Sequence, residues 1–357
     1  MTVVNDPGRD SCQAGGGPSA YLARRLMADV RHSADLTALA DGAPRRWSDG
    51  LRAEARFHLA AMTNHIEQAI VPAVTDPPIA ALLARLGPGY CRRAIERQLG
   101  VLSPDFIGHL RRRAAMAMLL RQAEDGRFHR PAPALEPPAP DAPHGEALAR
   151  LTLAEQDWRA PMLLDAPMPA DLPAEPFHEL AWSVAALLVQ GCERLMDGDD
   201  AGAVKMIAPA TQRVIARHDE AAGAIGLARR FARALPPEAR FSLAAAALAD
   251  ARLLPFAALA ECETSLPIDA VIDALLDHDD APRHALFRLM RVDDATVFSA
   301  AERLAPLTGG GRQDDEALAL FVEAYRRVEP AQAGRWLEDM LRPPALADKL
   351  ALMGAAP

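Results

Sequence analysis

The sequence predicts an all-α fold, an array of short antiparallel helices in two helical parts that is either compact or stacked as a HEAT-like α-solenoid. Of the 357 residues, 50% are hydrophobic and only 5% are aromatic. Ala, Leu and Arg, which are strong helix formers, are used heavily. Apolar residues recur at steps of three and four, and no run of alternating β-branched residues bounded by turn signals is present.

The N-terminal region divides into a tail and a helical part. Residues 1–19 are glycine-rich and aperiodic, which predicts a flexible tail, and residues 20–126 predict an N-terminal helical domain. A helix capped by Ser48 or Asp49 begins the regular pattern. Its buried face is predicted to consist of Leu51, Ala55, Leu59, Met62, Ile66 and Ile70.

Two further helix starts are recognisable. Ser103 supplies a capping hydroxyl, Pro104 suits the first helical position, and Asp105 faces the positive end of the helix dipole. The segment 171–176 leads into a helix that is apolar nearly all round in its second half, so we place this helix centrally. Its apolar residues include Phe177, Leu180, Ala181, Val184, Leu187 and Leu188.

Proline marks the boundaries between elements. Six prolines in the thirteen residues 131–143 predict a semi-rigid linker over 127–146, followed by a C-terminal helical domain over 147–357. Beyond Arg217, prolines recur at intervals of 12 to 24 residues. This spacing is typical of a succession of short helices, each starting at or just after a proline.

The cysteines and the N-terminus predict a cytoplasmic protein. The four cysteines lie at least 70 residues apart, and none forms a C-x-x-C pair, so neither a zinc site nor a disulfide framework is indicated. The first residues lack the basic and apolar segments of a signal peptide. The longest apolar stretch contains Asp250, Arg252 and Pro255, so we expect no membrane span, and nothing indicates a cofactor.

The net charge of −9 hides a basic stretch. Residues 85–130 contain ten arginines and four acidic residues, a local charge of +6, which leaves −15 on the remainder. Within this stretch, Arg111, Arg112 and Arg113 span about 200° of a helix. At least one of them must approach the packed side, and Arg112 with a neighbour stays available for an acidic protein partner. Nucleic acid is the less favoured partner, because a recognisable nucleic-acid fold signature is lacking.

The densest polar cluster is the turn 277–280. Together with His284, its carboxylates and His278 could hold a divalent cation, but the spacing matches no known metal motif. A turn between two helices that ends in capping acids explains the cluster without a ligand, so we predict no metal.

No catalytic motif is present, and the sequence therefore predicts a non-enzymatic protein. The glycine clusters 15–17 and 309–311 fit neither a phosphate-binding nor a dinucleotide-binding spacing. His218 follows a predicted helix, where the dipole favours a histidine regardless of function.

His178 and Trp182 form the remaining candidate interaction site. They are four residues apart on the central helix and so lie on the same face. If this face is exposed, the pair is a candidate binding hot spot, whereas if it is buried the pair is part of the core.

A family resemblance rests on the segment 171–186, DLPAEPFHELAWSVAA. It resembles a helical alphaproteobacterial family, domain of unknown function 2336. Members of that family carry a similar DLPAE segment, a histidine and a tryptophan-containing apolar helix. Ser183 stands where members often carry a second tryptophan. The similarity covers most of residues 30–352 and implies an all-helical, sometimes HEAT-like cytosolic protein without established activity. Further segments that carry it are His218 to Glu220, Leu253 to Phe256, 277–280, Leu286 to Met290 and, more loosely, Leu51 to Leu120.

Our first functional hypothesis is a non-enzymatic scaffold or regulator that binds another protein. The first alternative is a small-molecule-binding or hydrolytic enzyme whose site is assembled from distant residues, with His178, His218 or His278 as members. The second alternative is nucleic-acid binding through residues 85–130. A pocket lined by two or more histidines and acids would favour the enzyme, and a smooth concave groove would favour the scaffold.

Overall fold

The structure is a computed structural model that describes residues 33–39, 47–124, 143–159, 168–196, 201–277, 279–308 and 315–343, with single residues at 346, 349 and 353. All regular secondary structure in these residues is helical, which confirms the prediction of an all-α protein. The predicted tail over 1–19 lies outside the described residues.

The described residues form a series of helices of very different lengths. The first helices are α1 (described over 33–39), α2 (Asp49–Ile70), α3 (Pro77–Leu86), α4 (Tyr90–Ile95), α5 (Pro104–Glu124), α6 (Pro143–Arg159), α7 (Ala174–Leu195) and α8 (Ala201–Arg217). They are followed by α9 (Ala224–Ala234), α10 (Pro237–Ala249), α11 (Leu253–Thr264), α12 (Ile268–Leu275), α13 (Asp280–Leu289), α14 (Asp294–Leu304), α15 (Asp315–Arg326) and α16 (Pro330–Leu341). Short 3₁₀ turns lie at Val71–Ala73, Leu99–Val101 and Glu220–Ala222.

Side-chain caps fix several of the predicted helix starts. Ser48 Oγ accepts a hydrogen bond from Leu51 N (3.2 Å), and Ser103 Oγ accepts one from Phe106 N (3.1 Å). Asp279 accepts from Ala281 N (3.0 Å) at the start of α13, so capping does account for this end of the acidic turn. These caps satisfy backbone N–H groups that have no partner inside the helix.

Helix α7 is central, as predicted. It packs on α2, α3, α4, α5 and α8, and its apolar residues are almost all buried. Gly191 allows the closest of these approaches, because a Cβ atom there would lie 2.7 Å from Leu86 Cδ1 and 2.9 Å from the Tyr90 ring. The helix therefore provides the common wall against which the N-terminal helices and α8 assemble.

The helices on either side of the predicted linker share one hydrophobic core. The buried cluster runs from Ala38 to Tyr325, and α6 packs mainly on α9. Pro143 is the first residue of α6, so the last four residues of the predicted linker over 127–146 are helical. Proline is compatible with the first helical position, since its missing N–H has no partner there in any helix.

Within the part of the chain that the structure describes, no helix combines the length and the apolarity needed to cross a bilayer.

Candidate functional site

A concave site lies where the starts of α5 and α7 meet α12. Its volume is about 570 Å³, and five carboxylates line it: Asp105, Glu175, Glu179, Glu220 and Asp269. We call this site the acidic groove. Its wall also includes Ser103, Phe106, His109, Arg112 and the turn at Pro173 to Pro176.

Hydrogen bonds between helix starts shape the acidic groove. Glu179 accepts from Ser103 N (2.6 Å) and from Ser103 Oγ (2.5 Å), which joins the first turns of α5 and α7. Glu220 accepts from Ala174 N (2.8 Å) and so satisfies one free N–H at the start of α7. Of the three remaining acids, Asp105 and Glu175 are exposed, and Asp269 pairs with Arg112.

Arg112 closes one side of the acidic groove. Its guanidinium donates to Asp269 (2.9 Å) and to Asp273 (2.8 Å), which ties α5 to α12. Burial raises the pKa of Asp273, although the charges of Arg112 and Arg111 oppose that rise. The positive charge of Arg112 is therefore paired with acids of its own chain.

His109 lies in the groove wall and has a ring nitrogen without a hydrogen-bond partner among the described residues. Its side chain is 5% exposed, and its Nε2 atom is buried without a hydrogen-bond partner. Burial lowers the pKa of His109 well below its ordinary value, and the charges of Arg112 and Arg113 lower it further. The imidazole is therefore neutral near pH 7 and still has hydrogen-bonding capacity.

Arg113 lies about 100° around α5 from Arg112, in a buried network. Its side chain is 1% exposed; it pairs with Asp171, donates from Nε to His58 Nδ1 (3.0 Å), and stacks over the Trp158 ring at 4.6 Å. Because Arg113 can only donate, His58 carries its hydrogen on Nε2, which donates to Glu54 Oε1 (2.8 Å). Asp171 also accepts from Trp158 Nε1 (3.0 Å).

These placements correct the predicted cationic surface at Arg111, Arg112 and Arg113. Arg113 is buried, Arg112 is paired with Asp269 and Asp273, and Arg111 donates to the Leu276 carbonyl (3.0 Å). The acids that neutralise Arg112 lie more than 150 residues further along the chain. The surface beside these arginines is consequently acidic.

His178 and Trp182 do contact each other. Trp182 Nε1 donates to His178 Nε2 (3.0 Å), and the two rings meet edge to face. His178 is exposed and Trp182 is half-buried against the core, so the pair lies at the surface. His178, Glu179 and Trp182 follow Glu175 by three, four and seven residues, so all four lie along one stripe of α7.

A second cavity lies on the other side of the start of α7. Its volume is about 490 Å³, and we call it the histidine cavity because His65 of α2 and His218 line it together. Its other lining residues are Ala69, Pro169, Ala170, Asp171, Phe177, Val214, Arg217, Asp219, Ala222 and Gly223. Of the three histidines that the sequence offered for an assembled site, His218 belongs to this cavity, His178 does not line it, and His278 lies outside the described residues.

The sequence alone did not identify His109 or His65 as site residues. His109 and His65 each occupy an ordinary helical position, and only the folded chain brings them beside residues from other segments. Asp105 and Glu175 are first-turn acids, a placement that the helix dipole explains without any binding role. Among the described residues, no group of three or more histidines, cysteines and acids is arranged to hold a metal ion.

Comparison with known proteins gives no match, since no family model, no curated protein and no solved structure is significantly similar to this chain. The resemblance to domain of unknown function 2336 therefore stays a prediction.

Proposed function

We propose that this chain is a protein-binding helical protein whose acidic groove holds a basic segment of its partner. The observation that carries this proposal is the concentration of five carboxylates around a cavity of about 570 Å³. The proposed partner segment is therefore basic, whereas the sequence predicts an acidic protein partner. The histidine cavity, lined by His65, His218, Asp171 and Asp219, meets the criterion set above for the enzyme alternative, so that alternative is kept for the cavity.

The charge balance within the acidic groove supports a cationic ligand. Among the described residues that line it, Arg112 is the only basic side chain, and its guanidinium is already held by Asp269 and Asp273. Asp105 and Glu175 are exposed and take part in no hydrogen bond or ion pair of the described residues. Guanidinium and ammonium groups bind such carboxylates through charge-assisted hydrogen bonds.

His109 provides a second, independent reason to expect a ligand. A buried polar atom without a partner is costly, and native proteins rarely retain one. As a neutral imidazole, His109 can accept a hydrogen bond from a cationic donor without adding a repelling charge. A guanidinium that entered the groove would therefore meet carboxylates and an uncharged acceptor in the same wall.

The exposed stripe of α7 extends the acidic groove towards an aromatic pair. Trp182 lies two turns beyond Glu175, and its ring orientation is fixed by the hydrogen bond to His178. Arginine side chains stack on tryptophan faces as well as pairing with carboxylates. This arrangement favours an arginine-containing segment over a lysine-containing one.

We further propose that α9 to α16 stack in HEAT-like fashion. Each of these helices packs mainly on neighbours one to three helices away along the chain, as in the pairs α9 with α11, α12 with α13 and α14 with α15. Such stacks open from their ends, so hydrogen exchange should be fastest in α15 and α16 and slower in α11. Uniform exchange across α9 to α16 would instead indicate a single compact unit.

The proposed binding function is tested with labelled peptides and the full chain. We expect a peptide of six arginines spaced by Gly-Ser to bind with an affinity that weakens as salt rises, because screening shortens charge contacts to about 8 Å at physiological ionic strength. A lysine version should bind more weakly, and a glutamate version and duplex DNA should not bind. Fluorescence anisotropy measures all four.

Matched variants separate the acidic groove from general acidity. Replacing Asp105→Asn together with Glu175→Gln should weaken arginine-peptide binding about tenfold, which corresponds to the loss of two charge-assisted contacts. The control Glu316→Gln with Glu338→Gln changes the net charge equally on exposed positions of α15 and α16. Equal weakening by both pairs would contradict the proposal.

A further inference from the structure

The histidine cavity contains polar groups that the packing leaves available. Arg217, at the end of α8, is exposed and forms no hydrogen bond or ion pair with the described residues. The ring of His65 likewise forms no hydrogen bond with them. Both residues line the cavity together with His218.

His218 is held in one orientation and one tautomer. Its Nε2 donates to the Leu172 carbonyl (2.7 Å), and its ring is stacked on Phe177 with centroids 3.7 Å apart and planes within 4°. Since a carbonyl only accepts, the hydrogen of the neutral ring is on Nε2, and in that form Nδ1 keeps its lone pair. The second ring nitrogen is therefore a fixed hydrogen-bond acceptor.

The two acids of the cavity differ in their availability. Asp171 is occupied by Arg113, Trp158 Nε1 and Ala224 N (3.3 Å), so its charge is already compensated. Asp219 accepts from Ala221 N (3.0 Å) and is exposed. Arg217 and Asp219 carry opposite charges, so the lining supplies no net positive charge. A singly charged ligand can pair with Arg217, whereas a highly charged anion such as phosphate is repelled by Asp219.

We propose that the histidine cavity binds a small organic acid that also carries a hydroxyl group. Arg217 would take the carboxylate, His218 Nδ1 would accept a hydrogen bond from the hydroxyl, and Phe177 and Val214 would cover the apolar part of the molecule. A volume of about 490 Å³ accommodates a ligand of this class. This site is separate from the acidic groove and does not depend on the function proposed for it.

A neutral His65 suits this ligand better than a charged one. Burial lowers the pKa of His65, while the negative charge of Asp171 opposes the change. A neutral His65 can donate to or accept from the bound molecule without competing with Arg217 for the carboxylate.

The experiment uses three matched compounds with the full chain. Mandelate has the carboxylate, the hydroxyl and an apolar ring, mandelamide lacks the charge, and phenylacetate lacks the hydroxyl. Histidine ring signals in NMR should shift saturably with mandelate and show at least about tenfold weaker binding of the other two compounds, since each lacks one directed hydrogen bond.

Two variants locate the binding. Arg217→Gln should weaken mandelate binding about tenfold by removing the charge, whereas Arg233→Gln, at an exposed arginine of α9 outside the cavity, should leave it unchanged. His218→Phe keeps a ring stacked on Phe177 while losing the Nδ1 acceptor. It should therefore abolish the preference for mandelate over phenylacetate.

Two results would overturn this proposal. One is the absence of saturation by mandelate below about 10 mM, and the other is binding of inorganic phosphate in preference to mandelate. The variant Asp105→Asn with Glu175→Gln should bind mandelate normally, so failure of the groove and failure of the cavity are distinguishable.

Discussion

Two adjacent arginines of α5 lie in opposite environments. Arg113 is buried and its donors meet His58, Asp171 and the Met168 sulfur, whereas Arg112 lies at the edge of the acidic groove and pairs with acids that are about half exposed. The buried region is a closed network in which each charge has a partner. The groove beside it keeps unpaired acids and an unpartnered His109. The contrast indicates that the polar groups bonded to Arg113 hold the fold, whereas those that line the acidic groove are available for a ligand.

The largest expected effect is the loss of Arg113. Replacing it by methionine leaves Asp171 buried without its cation, and breaking a buried ion pair in this way costs about 3–5 kcal/mol of unfolding free energy. Urea denaturation followed by circular dichroism measures the change. A loss below about 1 kcal/mol would show that the network is not a stabilising element.

Acid should lower the unfolding free energy through two buried histidines, His58 in the Arg113 network and His109 in the groove wall. Burial lowers the pKa of His58 and His109 from the ordinary value of 6.5, with nearby arginines adding to the effect. Below pH 6.5 the unfolded chain therefore binds more protons than the folded protein, so the unfolding free energy is complete above that pH and decreases as the pH falls.

The comparison variant for this pH dependence is His109→Leu. It should reduce the acid sensitivity without lowering stability at pH 8, because it removes a buried imidazole that has no hydrogen bond. Urea midpoints between pH 8 and pH 5.5 test this, with exposed His178→Ala as the control. An unchanged slope in His109→Leu would show that His109 is not a source of the acid sensitivity.

The smallest effect on stability is expected for Arg112→Met. Its partners Asp269 and Asp273 are 46% and 48% exposed, so water solvates them once the arginine is gone. The expected loss is about 1 kcal/mol or less. If Arg112→Met lost as much unfolding free energy as Arg113→Met, the distinction between the buried network and the acidic groove would be wrong.

The sequence could predict the helix starts because their causes are local. Ser48 and Ser103 cap the helices that follow them, and the angular spread of the arginine triplet required one member on the packed side, which is Arg113. Local pattern could not predict whether Arg112 is free to bind a partner. The acids that neutralise it become neighbours only when α12 packs on α5.

The residues that line the two sites could not be predicted from local sequence either. His218 was one of the histidines considered for an assembled site, but its partner in the cavity, His65, lies on α2 and more than 150 residues earlier. Nothing in the local pattern distinguishes His65 or His109 from any other helical histidine. Because both cavities form between segments that are distant in sequence, their lining residues depend on tertiary packing.

The central claim, that the acidic groove binds a basic segment, is tested most directly by reversing its charge. Asp105→Lys with Glu175→Lys costs each helix start some dipole stabilisation, about 0.3–1 kcal/mol per site, which should leave the protein folded. Anisotropy titrations of wild type and variant with the arginine and glutamate peptides then give four affinities. We predict that wild type binds only the arginine peptide, and that the variant loses it and gains the glutamate peptide. Unchanged arginine-peptide binding by the folded variant, or binding of the glutamate peptide by wild type, would contradict the account.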